Sequence, residues 1–151
     1  MTTRRLLLLM PLAAALARPG IAAELPVPES LAEALAEALR AGRPLVVMAS
    51  LHGCPFCRVV RDHYLAPLRA DTGQPVVQLD TASARPLRDF NGLPTTHDRQ
   101  LRAWGVKVLP TVLFFGRGGR EAAERLVGAS IPDFYGAYLE ERLRTATKNI
   151  A

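Results

Sequence analysis

Cysteine is scarce in this chain: its 151 residues hold two, Cys54 and Cys57, with Pro55 and Phe56 between them. A fold stapled by several disulfides is therefore excluded. A bridge within this pair would itself stabilise little, because the entropy that a cross-link removes from the unfolded chain grows with the loop it closes. A second set of metal ligands is also lacking. His52, His63 and His97 are scattered, and no other Cys or His pair stands at zinc-ligand spacing, which argues against a structural zinc site. A copper-binding or metallochaperone module using both thiolates and His52 stays open as an alternative, because soft thiolates select Cu(I). No apolar run reaches the about 20 residues of a membrane-spanning helix. The arginines are scattered and form no stripe of the kind that tracks a nucleic acid. Internal repeats and low-complexity tracts are absent as well.

What is present begins with a targeting signature. Arg4 and Arg5 precede the apolar run Leu6 to Met10, which resumes after Pro11 through Ala17, and the small residues Ile21-Ala22-Ala23 stand ahead of Glu24. This is the layout of a signal peptide over residues 1–23, leaving residues 24–151 as one mature domain. Paired arginines occur in both Sec and twin-arginine signals. The short run and the good cleavage site argue against an uncleaved anchor, so no stable membrane insertion of the mature chain is expected. A bacterial-type signal implies the periplasm, an oxidising compartment in which the two cysteines can pair. Removing residues 1–23 takes away Arg4, Arg5 and Arg18 and no acid, so the formal charge falls from +5 to +2. Nucleic acid is not an expected partner.

In the mature region Leu31, Leu35 and Leu39 recur at helical spacing, with Ser30 as a cap and Gly42 as a stop. Leu45 to Ala49 is apolar without alternation, the pattern of a strand buried on both faces. A helix is expected from Cys54 to about Arg69, kinked or ended by Pro67, followed by a buried strand from Pro75 to Leu79. Residues Thr81 to Thr95 hold two prolines, a glycine and little periodicity, and read as a loop or irregular insertion. A short helix capped by Thr95 or Thr96 follows, with Gly105 as its stop. Thr111 to Phe115 forms a strand, Gly116 to Gly119 a turn, and Glu121 to Val127 the return arm of a hairpin. Ser130-Ile131-Pro132-Asp133 opens a last helix. Strands alternating with helices and ending in a hairpin predict an α/β fold, a central mixed β-sheet flanked by helices.

Cys54 falls at the junction of the first strand and the second helix. Pro55 then occupies the first helical position, where its missing N–H costs nothing. Cys57 lies one turn on and faces the same side, at a Cα separation of about 5 to 6 Å that suits a disulfide. Free N–H groups and the dipole at a helix start favour a thiolate on Cys54. Cys54 is thus the candidate nucleophile in disulfide exchange and Cys57 the resolving thiol, and spacing alone leaves the direction of electron flow open. His52 could support the thiolate or be an exposed loop histidine. His63 and His97 read as surface or partly buried, Trp104, Phe114 and Phe115 as core, and Arg85, Arg88, Arg99 and Arg102 as a solvated face.

With Cys54-Pro55-Phe56-Cys57, the segment Trp104 to Thr111 and Val127-Gly128 in view, the sequence resembles the thioredoxin family, most of all small periplasmic thioredoxin-related proteins that carry extra residues before the third helix. The resemblance covers nearly all of the mature chain. It implies a thioredoxin-like fold and thiol:disulfide oxidoreductase activity without a cofactor or metal. It also implies a cis Leu109-Pro110 bond beside the cysteines, with the Leu109 backbone and Pro110 contacting an extended substrate segment. Protein disulfides or dithiols would be the substrates, and a membrane-bound thiol donor a possible partner. Three positions depart from cytoplasmic thioredoxins. Pro55-Phe56 is similar to the Pro-aromatic pair of glutaredoxins, Met48 stands where thioredoxins bury an aspartate, and Gly53 replaces their tryptophan. No large helical insertion of the kind found in disulfide-forming oxidases fits, which favours a reductase or electron-transfer partner over a primary oxidase.

Overall fold

The computed structural model describes residues 24–129 and 132–150. The expected signal segment 1–23, and Ser130 and Ile131 of the expected last-helix start, lie outside the described residues. In chain order the elements are α1 (Leu31–Arg40), β1 (Leu45–Ser50), α2 (Pro55–Val60), a π-helical turn (Arg61–Leu65), α3 (Ala66–Thr72), β2 (Val76–Asp80), β3 (Pro86–Arg88), β4 (Pro94–Thr96), α4 (His97–Ala103), β5 (Thr111–Phe115), β6 (Glu121–Val127) and α5 (Pro132–Ile150).

Four strands form a mixed sheet in the order β2-β1-β5-β6. β1 runs parallel to β2 and antiparallel to β5, and β5 is antiparallel to β6. All six residues of β1 are buried, as its unalternating apolar run requires. Because successive side chains on a strand point to opposite faces, β1 feeds two cores. Val46 and Met48, with Val112 and Phe114 of β5, meet Val60, Leu65, Tyr135 and Leu139 on the side of α2, α3 and α5. Val47 and Ala49, with Leu113 and Phe115, meet Leu31, Leu35 and Leu101 on the side of α1 and α4. Ser30 caps α1, its Oγ accepting from the Glu33 N–H at 3.2 Å.

Pro67 neither ends the second helix nor breaks it. A proline ring inside a helix clashes with the carbonyl four residues back, here that of His63. The chain widens into the π turn Arg61–Leu65, closed by the Ala66 N–H on the Arg61 carbonyl, and helix resumes as α3. It stops at Gly73, in left-handed conformation.

The Thr81 to Thr95 stretch differs from the expected loop. It contains β3 and pairs it with β4, Leu87 opposite Thr95, while the Leu87 side chain is buried in the α1-side core. Three-residue strands hold too few positions to show alternation, and each begins at a proline, which an edge strand tolerates. His97 is a second correction. It is buried, with Nδ1 accepting from the Asp80 N–H at 3.3 Å, and burial, seconded by the charge of Arg85, lowers its pKa. Phe114 and Phe115 are buried and Trp104, half-buried, packs at 4.7 Å ring separation on Phe115. His63, Arg85, Arg88, Arg99 and Arg102 are exposed.

Candidate functional site

β1 delivers the chain to the end of the sheet, and residues 51–53 turn it into α2. Asp80, at the adjacent end of β2, fixes this turn by accepting from the His52 N–H at 2.9 Å. Gly53 then adopts φ +78, a region that costs a side-chain-bearing residue roughly 1–2 kcal/mol. That conformation accounts for glycine where thioredoxins carry tryptophan.

Cys54 caps α2. Its Sγ accepts from the Cys57 N–H at 3.2 Å, and Pro55 opens the helix. Cys54 is half-buried, whereas Cys57 is only 1% exposed. Both are free thiols. The pair therefore presents one sulfur outward and one inward. Burial pushes the Cys57 thiol up to about 11, aided by the hydrogen bond with Cys54, while hydrogen bonds from the Leu51 backbone and the Ser50 hydroxyl pull the other way. Ser50 is itself buried. The apolar run that marks the first strand ends at Ala49 and so gives no sign of it. Extended by one residue, β1 places Ser50 on the face of Met48, and two-residue periodicity is the signal that finds it.

On the β5 side of this end, the peptide bond between Leu109 and Pro110 is cis. β5 opens at Thr111, paired with Ala49 of β1, so Pro110 lies at the same sheet end as Cys54. Gly128 N–H donates to the Pro110 carbonyl at 2.7 Å, and the Thr111 hydroxyl to that of Val108 at 2.7 Å. Leu109 and Cys54 pack against the same core cluster. Phe56 and Val59 of α2, with Val108 and Val127, are large apolar residues left exposed. His52 is exposed and is not joined to the cysteines as a third ligand. No group of three His, Cys, Asp or Glu able to hold a metal ion occurs among the described residues.

Comparison with known proteins places these features in a wider set. Residues 31–143 match the thioredoxin-like domain family. Among solved structures, a thioredoxin from Fasciola hepatica superposes with a TM-score of 0.52 at 19% identity, covering 80% of this chain and 97% of that one. A thioredoxin from Thermus thermophilus gives 0.50 at 22% identity, over 80% of this chain and 86% of that one. Oxidised thioredoxin O2 from Arabidopsis thaliana gives 0.50 at 18% identity, over 82% and 99%. At such identities the likeness is one of fold. No curated protein sequence matches the chain.

Proposed function

The chain belongs to the thioredoxin-like domain family and is a thiol:disulfide oxidoreductase; from that premise we propose that it exchanges electrons with protein disulfides or dithiols through Cys54 and Cys57, as a reductase or electron-transfer partner. The observation that carries this reading is the Cys57 N–H bond to Cys54 Sγ at 3.2 Å, with one sulfur half-exposed and the other buried.

In the reducing direction the Cys54 thiolate attacks a substrate disulfide and expels one substrate thiolate, forming a mixed disulfide. Cys57, losing its proton, then attacks Cys54 Sγ and expels the second substrate thiolate. The dithiol is oxidised to a disulfide and the substrate gains two electrons and, in water, two protons. Leu109 offers its backbone to an extended substrate segment, Pro110 flanks the sulfurs, and the exposed Phe56 and Val108 give that segment apolar contact. Between β2 and α4 the chain holds only the β3–β4 hairpin, which favours the reductive role over that of a primary oxidase.

Residues 1–23 act as a cleaved export signal in this proposal, and residues 24–151 work in the periplasm, kept reduced by a membrane-bound thiol donor. Among the described residues no helix is long and apolar enough to cross a membrane.

Insulin reduction tests the proposal. Wild-type protein precipitates the insulin B chain in the presence of dithiothreitol, and Cys54→Ser abolishes the acceleration. Full activity in Cys54→Ser would sink the assignment of the nucleophile. Cys57→Ala accumulates mixed disulfide instead of turning over.

A further inference from the structure

The two sides of Cys54 differ in kind. Toward β5 lie Leu109, Pro110 and exposed apolar side chains. Toward β2 lies a pocket of about 490 Å³ lined by Cys54 itself, Ser50, Arg58, Arg61, Gln78, Asp80 and Glu24. The sheet order β2-β1-β5 keeps the two apart, so a peptide running along Leu109 does not fill the pocket. Its volume falls within the ~300–1,000 Å³ typical of small-molecule sites.

Charge is divided across this pocket. On the α2 wall Arg58 is exposed and makes no ion pair among the described residues, whereas Arg61 is held by Asp62 at 2.9 Å. Among the side chains that line the pocket Arg58 is thus the free cation, and Glu24 on a third wall adds a second carboxylate. On the β2 wall stands the carboxylate of Asp80, and beside it the Gln78 amide, whose Oε1 is buried without a hydrogen-bond partner. A guanidinium suits a carboxylate, and a carboxylate next to an unsatisfied amide oxygen suits an ammonium, since a buried polar atom left unpaired costs about 1–3 kcal/mol. Both demands are met by one α-amino-acid head group.

Resting on the redox reading above, we infer that this pocket receives one half of a small α-amino-acid disulfide such as cystine, its carboxylate on Arg58 and its ammonium toward Asp80 and Gln78, placing the disulfide before Cys54. Cys54 thiolate attacks the near sulfur, the far cysteine leaves as thiolate, and Cys57 then displaces the bound half. One cystine becomes two cysteines and the protein dithiol becomes its disulfide, so no further reductant enters the step.

The test compares cystine with hydroxyethyl disulfide, both without net charge at pH 7, so long-range steering is the same for each. Second-order rates of oxidation of the reduced protein are divided by those of dithiothreitol with the same two disulfides, which removes their intrinsic difference in reactivity. The wild-type protein should then prefer cystine at least tenfold. Arg58→Gln should bring that preference to within twofold, and Arg58→Lys should keep at least a threefold excess. A wild-type preference below twofold, or a preference untouched in Arg58→Gln, overturns the pocket assignment while leaving the redox chemistry standing. Failure to react with either disulfide overturns both.

Discussion

Replacing Ser50 with alanine should separate the two steps of the reaction. Cys57 is buried and its thiol sits up at about 11, so at neutral pH only about one molecule in ten thousand carries the thiolate. Once Cys54 is tied up in a mixed disulfide its own thiol no longer opposes ionisation of Cys57, and the Ser50 hydroxyl and the Leu51 N–H are the groups that still favour it. A hydrogen bond to a charged group is worth about 1.5–3 kcal/mol, or about one to two units of pKa at 1.36 kcal/mol each. Losing it would cut the thiolate fraction about ten- to a hundredfold. A more basic thiolate is also a better nucleophile, with a Brønsted slope near 0.5, so roughly half of the logarithm returns. The net expectation for Ser50→Ala is a three- to tenfold slower resolution step with capture unchanged. Rapid mixing with excess 5,5′-dithiobis(2-nitrobenzoate) reads both, since attack by Cys54 releases the first nitrothiolate and resolution by Cys57 the second. Slowing of both phases alike, or a second phase within a factor of 1.5 of wild type, would refute the role given to Ser50.

The raised Cys57 pKa has a consequence for stability. A thiol whose folded value lies above its ordinary 9.0 binds its proton more tightly in the native state. The contribution of this thiol to the stability of the reduced protein should therefore be fully present below pH ~9.0, and about 2–3 kcal/mol should be lost as the pH rises through ~11. Urea unfolding of wild type against Cys57→Ala checks it, and an equal slope in the two proteins would count against it. Two glycine substitutions should differ in cost. Gly53→Ala meets no atom within 4 Å and pays only for φ +78, about 1–2 kcal/mol. Gly119→Ala also drives a methyl to 2.5 Å from Phe90, adding overpacking of about 1–3 kcal/mol. Thermal unfolding should rank them in that order, and equal melting temperatures would contradict it. For a reductase, the potential of the Cys54–Cys57 couple against glutathione should fall nearer the about −270 mV of thioredoxin than the about −120 mV of a strong oxidant.

How much of this could be read from residues alone depended on how many positions carried each signal. β1 and β5 declare themselves because five and four consecutive apolar residues permit few other readings, and α1 because leucines recur over three turns with a serine ahead of them. The β3–β4 hairpin does not, since its strands bury Leu87 alone, flanked by exposed residues, and its other core contact is the single Phe90 of the turn. His97 follows the same logic. Its buried ring accepts from the backbone N–H of Asp80, seventeen positions earlier, and no local pattern encodes a partner that distant. The redox pair was legible for the opposite reason, because a cap, a proline at the first helical position and a second cysteine one turn later are all local. Its electrostatics were not. Met48 stands where thioredoxins bury an aspartate, and two-residue alternation along β1 brings Ser50 to the same face. A hydroxyl stabilises a thiolate by donating one hydrogen bond, but it cannot take the proton as a carboxylate can. Cys57 must then surrender its proton to water or to the departing substrate thiolate, so resolution should quicken with rising pH throughout the neutral range, with no plateau before the thiol itself titrates.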